Sequence, residues 1–472
     1  MVKKAVKRIW KILPILLLLL AVYLVVTDIL LPLFHREVSE AFKAQVAEMN
    51  LKGQGEGGER IRCIDENEEA LIWRLRMIGQ AERSIVLATF DLRTDESGTD
   101  LCAALYQAAE RGVRIQILVD GIYKMLFLDR SETLEALIAH ENIEVRFYNP
   151  ITPLSIGNVN YRMHDKYLII DDRMYLLGGR NSNDIFLGKN SDDTNIDRDI
   201  LVYEEREDAG ESLKALQEYF SEIWNEPCVK EKKTEKTAED FEAEYEMLEK
   251  RYEQLLTRYP DIRDYDQWKE ATYEAERITL ITNEIHDGQK SPQILYVLEQ
   301  LCKEAKDVLI QTPYIICNGE MYETLEKIGS NASLRILINA VEKGSNPFGC
   351  TDYLNQKKKI GKTGAVVYEL MNEYPVHTKT VMIDDRISVV GSYNLDMRST
   401  YLDTEMMLVI DSPRLNSHLR EMAEEYKKKS KEVLPDGKET EGPGYVGKEL
   451  SGGKKIFYMM LRVITAPVRH LL

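Results

Sequence analysis

Cysteine and histidine are both scarce in this chain, at six and seven among 472 residues, and no two cysteines stand as C-x-x-C. That spacing excludes a zinc ribbon and a disulfide-dense miniature domain. Cys63, Cys102, Cys228, Cys302, Cys317 and Cys350 therefore read as scattered free thiols, several in apolar surroundings. Glycine (27) and proline (14) are too few and too evenly spread for a collagen-like or low-complexity chain. Positive charge is also short, with 62 Lys+Arg against 79 Asp+Glu and a net charge of −17. Acids are missing only at the two ends. Residues 1–11 carry five cations (Lys3, Lys4, Lys7, Arg8, Lys11), and residues 452–472 carry four (Lys454, Lys455, Arg462, Arg469). Removing these nine cations from −17 leaves −26 on the residues between. Such a body repels polyanions, so nucleic acid is not the expected partner. Basic ends on an acidic body suit an anionic membrane surface.

With 44% hydrophobic and 30% charged residues, the chain has the material for real cores. Its one long apolar run is Ile12–Phe34, ILPILLLLLAVYLVVTDILLPLF, with Asp28 as the only charge. Twenty-three helical residues would span about 34 Å, against a hydrocarbon core of about 30 Å. The run is longer than a signal-peptide core and no A-x-A site follows it, so it reads as a transmembrane helix. The five preceding cations place residues 1–11 in the cytoplasm and the acidic body outside, as a single-pass protein of the cell membrane. A hairpin bent at Pro14 or Pro32 would reverse that orientation.

Beyond the run, residues 35–60 read as a helical stalk ending in a glycine-rich stretch (Gly53, Gly55, Gly57, Gly58). From residue 61, helical spacing alternates with short apolar runs such as SIVLATF (84–90) and VRIQILV (113–119). Further strands are expected at 145–148, 167–170 and 174–177. The order recurs with strands at 307–311, 333–338, 365–368, 380–383 and 387–390, so two similar α/β units in tandem are expected. The boundaries read as 61–228 and 276–435. A charged helical linker at 229–275 separates them, and its Phe241, Tyr245, Leu248, Tyr252 and Leu255 make an apolar seam suited to packing on the body. Residues 436–472 form a polar linker and an amphipathic segment, KKIFYMMLRVITAPVRHLL (454–472). Its basic stripe and its Ile456, Met459, Met460 and Val463 face read as an interfacial helix; docking on the body is the alternative.

The chemistry lies in a duplicated pattern. From His164, a Lys follows at +2 (Lys166), an Asp at +7 (Asp171), a small pair at +14 and +15 (Gly178, Gly179) and an Asn at +17 (Asn181). From His377, the same offsets give Lys379, Asp384, Gly391 with Ser392, and Asn394. In a strand, residues i and i+2 share a face, so each His and Lys project together. Asp171 and Asp384 complete the motifs but fall on turns, which marks them as structural. Two facing copies would gather two imidazoles, two ammonium groups and two amides around one pocket. Such a pocket suits a phosphodiester. The lysines, Asn181, Asn394 and the hydroxyl of Ser392 would hold the phosphoryl oxygens, one imidazole would attack phosphorus, and the other would protonate the leaving alkoxide. Neither metal nor cofactor is called for, because the lysines bring the positive charge. Two downstream acids open apolar runs, Asp199 in DRDILVY and Glu405 in DTEMMLVI. Each is expected to return to the imidazole of its own copy.

The two motifs, the segment GSYNLDMRSTYLDTE (391–405), the segment RMHDKYLIIDDRMYLLGGRNSND (162–184) and TPYI (312–315) resemble the phospholipase D superfamily over roughly 60–430, and within it the bacterial cardiolipin synthase branch. The resemblance implies two tandem phospholipase D-like α/β sandwich domains related by a pseudo-twofold axis. It implies a covalent phosphohistidine, with His164 as nucleophile and His377 as general acid, and it strengthens the roles given to Asp199 and Glu405. The expected activity is a membrane-bound phosphatidyltransferase that passes a phosphatidyl group to the hydroxyl of phosphatidylglycerol, with phosphatidylglycerol or phosphatidylethanolamine as donor. The rivals are a phospholipase D hydrolase using water, a nuclease or phosphodiesterase with the same motifs, and an inactive membrane scaffold.

Overall fold

The computed structural model describes residues 13–15, 17–51, 58–152, 155–188, 193–205 and 210–472. The basic stretch 1–11 and most of the glycine-rich stretch lie outside the described residues.

Two nine-stranded mixed sheets dominate the molecule. In the first, Ser84–Thr89 pairs in parallel with Arg114–Asp120, and that strand with Ile143–Tyr148. On its other side Ser84–Thr89 runs antiparallel to Tyr167–Ile170, which turns back through Met174–Gly178 to Asp199–Glu204 and then Glu59–Ile64. The second sheet repeats this plan with Asp307–Gln311, Ser333–Asn339 and Val366–Leu370 in parallel, then Thr380–Ile383, Ile387–Gly391, Met406–Asp411 and Arg277–Thr282. The central strands are buried along their whole length, which is why they read as continuous apolar runs and not as alternating ones.

Each sheet has its own core under its outer helices. One is built on Asn67–Gly79 and Glu96–Glu110, the other on Gln293–Cys302, Gly319–Asn331 and Pro347–Lys362. A third apolar cluster joins the inner faces. There Ala88, Tyr167, Ile169, Leu177 and Ile200 of the first half pack with Leu309, Met382, Val390 and Leu408 of the second. The two halves therefore share a core.

The helix Glu242–Arg258 inserts Leu248, Tyr252 and Leu255 into the first core, as its seam implies. The segment 229–275 is more than a linker, because Val229–Glu231 and Tyr273–Glu274 join the first sheet. The stretch expected as a stalk is shorter and docked. Ser39 caps the helix Glu40–Glu48 by accepting from Phe42 N–H, and Val46 lies in the second core. Ahead of it, Leu13–Leu33 is long and apolar enough to cross a bilayer. All six cysteines are free thiols.

Candidate functional site

His164 and His377 stand at the entrances of two central strands, Tyr167–Ile170 and Thr380–Ile383. Asp171 and Asp384 sit at the opposite ends, on turns that take them to φ of 52° and 49°. Asp tolerates this left-handed conformation better than most residues. The Asp171 carboxylate accepts from the backbone N–H groups of Glu82 (3.1 Å), Arg83 (2.9 Å) and Ser84 (2.8 Å). Asp384 accepts from Lys306 and Asp307 at 2.8 and 3.0 Å. Both acids clamp the turn to the start of the neighbouring strand. A four-residue strand, about 13 Å at 3.3 Å per residue, separates them from the histidines. Their contacts fit the structural role and not a catalytic one.

The two halves cross-stitch at the entrances. His164 N–H donates to Thr404 O (3.2 Å) and Thr404 N–H to Arg162 O (2.9 Å). In mirror fashion, His377 N–H donates to Ile196 O (2.6 Å) and Ile196 N–H to Pro375 O (2.9 Å). Each motif therefore runs beside the acid-bearing segment of the other half. His164 Nδ1 lies 2.8 Å from Glu405 Oε1, and His377 Nδ1 lies 2.7 Å from Asp197 Oδ2. This corrects the sequence reading twice. Each acid holds the imidazole of the opposite copy, and the acid of the first copy is Asp197, not Asp199.

Asp199 is two residues further along the same strand face. There it meets Arg74 (2.9 Å) and Arg180 (3.2 Å), both buried. Register makes the equivalence plain. Gly178 pairs with Asp199 and Gly391 with Met407, so Glu405 corresponds to Asp197. Aligning the apolar runs ILV (200–202) and LVI (408–410) would have found it.

The difference between Gly179 and Ser392 follows from these acids. A Cβ at Gly179 would stand 2.3 Å from Asp197 Oδ1, so only glycine leaves room for that carboxylate. At the matching place Ser392 donates its hydroxyl to Glu405 Oε2, and Ser399 donates to Oε1 at 2.5 Å. Ser392 thus holds the acid, where it was expected to face a phosphate. Asn181 and Asn394 are buried near the histidines in sequence, and each leaves its Oδ1 without a hydrogen-bond partner among the described residues.

Burial and the two lysines together set the charge states in the pocket. Burial drives the His164 imidazole well below its usual pKa, and Lys166, Lys379 and His377 push the same way. Burial and Lys379 lower His377 to about 4 despite Asp197. Burial opposes the charge on Asp197, but Lys379 and His377 outweigh it and bring its pKa to about 2. Burial wins at Glu405 and raises it well above the carboxylate range, although Lys166 opposes. Lys166 falls to about 7 through burial, with Lys379 adding to the shift, and burial lowers Lys379 too. A site that strains to keep two lysines charged favours an entering anion. Because an ionised carboxylate only accepts, Asp197 favours the proton of His377 on Nδ1, which leaves Nε2 for chemistry, while Lys379 Nζ stands 2.5 Å from the same Nδ1 and competes for it.

Aromatic rings lean on both imidazoles. Phe186 meets His377 edge-on at 5.2 Å and Phe90 meets His164 at 4.9 Å. From Phe90 the rings continue to Tyr123 (4.6 Å) and Phe127 (5.7 Å), where Met125, Leu126 and Phe127 stand exposed. Sequence reading missed this knuckle, because MLF (125–127) is too short to register as a periodic pattern. A cavity of about 610 Å³ also lies on the His377 side, beside Ile196 and Tyr374. Its wall carries Asp65, Glu66, Glu68 and Glu69, a lining that repels a phosphate.

The family model described as cardiolipin synthase, PLD-like domain, matches residues 75–224 and 297–427. A curated protein of Helicobacter pylori, carried there as an uncharacterized protein, is 25% identical over 400 residues, 76% of this chain and 77% of its own. Cardiolipin synthase C of Escherichia coli is 24% identical over 406 residues, 75% of this chain and 81% of its own. Among solved structures, phosphatidylserine synthase of Haemophilus influenzae superimposes with a TM-score of 0.65 at 13% identity, over 92% of this chain and 99% of its own. That last likeness is one of fold. With both halves matched by the family model and the duplicated sheets meeting at paired His–Lys strands, the chain belongs to the phospholipase D superfamily, in its cardiolipin synthase-like branch.

Proposed function

We propose that this protein is a membrane-anchored phosphatidyltransferase that forms cardiolipin through a phosphohistidine. His164 Nε2 attacks the phosphorus of a donor phospholipid, the bond from phosphorus to the headgroup oxygen breaks, and His377, which enters the step as the imidazolium that the incoming phosphate anion and Asp197 favour, gives its Nε2 proton to the departing alcohol. A hydroxyl of phosphatidylglycerol then gives its proton back to His377 and attacks phosphorus, releasing His164. Lys166 and Lys379 neutralise the phosphoryl oxygens. The donor is phosphatidylglycerol or phosphatidylethanolamine.

The unequal acids support the division of labour. His377 has an ionised partner in Asp197, which stabilises an imidazolium and suits a general acid. His164 gives its Nδ1–H to Glu405 Oε1, which leaves the Nε2 lone pair free, and burial, which disfavours the Glu405 charge, keeps that imidazole from taking a second proton.

The observation that carries the lipid reading is the apolar track from His164 through Phe90 and Tyr123 to the exposed Met125–Phe127 knuckle. Acyl chains need apolar surface beside the phosphate, which the aliphatic Met125 and Leu126 offer next to the rings, and the net charge of −26 on residues 12–451 disfavours a nucleic acid stacking there. Leu13–Leu33 supplies the anchor, and the cations at 1–11 set the body on the outer face.

The test is the lipid profile of a cardiolipin-deficient bacterium expressing the chain, with His164→Ala as control. Cardiolipin is expected only with the intact histidine. Phosphatidic acid without cardiolipin would mean a hydrolase, and unchanged lipids would return the nuclease and scaffold readings.

The lysines give a pH prediction. Lys166 must be protonated to meet the diester, and in the free pocket its pKa is lowered to about 7. kcat/KM is therefore expected to fall more steeply as pH rises above about 7, where loss of the Lys166 charge adds to the loss of the His377 proton, while the lysine limb in kcat lies higher because a bound anion favours the charged lysine. Rates on a soluble short-chain phospholipid check this. A kcat/KM that stays flat between about pH 6 and 9 would refute it.

A further inference from the structure

The helix Gly452–Ile464 has apolar side chains on two faces. One face is docked. Tyr458 is buried against the second core with Leu461 beside it, and Arg462 Nε donates to Asn355 Oδ1 at 2.8 Å. The other face is bare, with Ile456, Met459, Met460, Val463 and Ile464 between 51% and 75% exposed. Those positions recur at three- and four-residue spacing, so they form one stripe along the helix. Lys454 and Lys455 are exposed at its start, and no acid occurs from 452 to 472.

The turn that follows, Ala466–Leu471, ties this helix to two other parts of the molecule. His470 Nε2 lies 2.7 Å from Ile29 O, inside the apolar segment Leu13–Leu33. Arg398 donates from Nη1 to Leu471 O (3.1 Å) and from its backbone N–H to Leu472 O (3.2 Å). Arg398 belongs to the short helix Met397–Tyr401, whose Ser399 donates to Glu405, the acid of His164. His35, just past the apolar segment, stacks on Tyr401 of the same short helix at 3.9 Å.

We propose that Gly452–Ile464 lies in the membrane interface. Its Ile456, Met460 and Val463 stripe dips among the acyl chains of an anionic leaflet, and Lys454 and Lys455 meet the headgroups. The occupant of the bare face is a lipid surface for two reasons. The stripe is bonded within one turn to the segment that enters the bilayer, and the charges on the helix itself are only positive, with Glu449 ahead of it paired to Lys455 at 3.2 Å. The inference deepens the lipid reading and rests on it. It fixes which side of the body faces the membrane and sets Met397–Tyr401, the support of the His164–Glu405 pair, against the interfacial clasp. Seating on the bilayer would then steady the nucleophile.

The test uses the full chain in phosphatidylglycerol vesicles, with a nitroxide on Val463→Cys and, as a wet reference, on Val446→Cys, a loop position 76% exposed. Unmutated protein treated with the same reagent gives the background from native thiols. The label at 463 is expected to collide readily with oxygen and poorly with a water-soluble nickel complex, the reverse of the label at 446. Equal nickel access at both positions would overturn the proposal. So would dipolar coupling between labels at 463 that disappears on dilution with unlabelled chain, which would mean that a second copy covers the face. In Met460→Glu/Val463→Glu, the rate on vesicle lipid relative to the rate on a soluble short-chain lipid is expected to drop about 10-fold. An unchanged ratio would sink the clasp. The two readings fail separately: a label seated in lipid without transferase product refutes the reaction, and product with a wet label refutes the docking.

Discussion

Asp197→Asn is expected to lower phosphatidyl transfer by about 10³–10⁴-fold with little loss of folded protein. The backbone N–H of Arg198 already donates to Asp197 Oδ1 at 2.8 Å. An amide at this position would keep its oxygen there and turn its NH₂ toward His377. His377 Nδ1 would then have to accept, so the ring proton would move to Nε2. In that tautomer the neutral ring can neither protonate a leaving alkoxide nor take a proton from an attacking hydroxyl. Asp199→Asn gives the opposite result. Asp199 lies between Arg74 and Arg180, all three buried, so losing its charge leaves two guanidiniums uncompensated. A cost of about 3–5 kcal/mol is expected, seen as a lower thermal midpoint, while the protein that stays folded keeps most of its turnover. Purified variants compared by melting and by turnover per folded molecule decide the matter. If Asp199→Asn lost turnover and Asp197→Asn lost stability, the assignment would be reversed.

The sequence error at this point has a physical origin. Residues 197 and 199 share a strand face, so a parity argument cannot choose between them. Choosing requires the register between neighbouring strands, which the pairing of Gly178 with Asp199 supplies directly. The crossing of acids between halves is harder still to read. It depends on the bridges Met163 to Thr404 and Ile196 to Val376, which bring together residues more than 150 apart. Local patterns do report the central strands. Thr380–Ile383 and Tyr167–Ile170 stand where the apolar runs place them, because a fully buried strand must be apolar on both faces. The short edge strands Val229–Glu231 and Glu439–Glu441 are mostly exposed and charged, and their sequences look like loop. The His–Lys spacing was legible for a different reason. Two copies with identical offsets carry information that no single strand end has. What the offsets could not convey was that Ser392 is engaged by Glu405, since that hydrogen bond joins two segments through a side chain.

The order of the two histidines has the second large expected effect. With a natural phospholipid, His164→Ala and His377→Ala should each reduce turnover by at least about 10⁴-fold, so rates alone do not separate nucleophile from acid. A donor whose leaving group needs no proton does separate them. From a p-nitrophenyl phosphatidyl ester, the first step requires only an attacking nitrogen and the paired lysines. His377→Ala is therefore expected to release one equivalent of p-nitrophenol in a burst and then stall, because no base remains to activate the incoming hydroxyl. The stalled protein should carry a phosphatidyl group on His164 through an acid-labile P–N bond, readable by intact mass. His164→Ala should give neither burst nor adduct. The burst would move to His164→Ala if the roles were exchanged, and its absence from both variants would end the covalent reading. The geometry gives reason to expect the first outcome. An ionised Asp197 can carry an imidazolium at His377 through both steps, whereas the buried Glu405, bonded by Ser392 and Ser399, holds its imidazole in place without inviting a second proton.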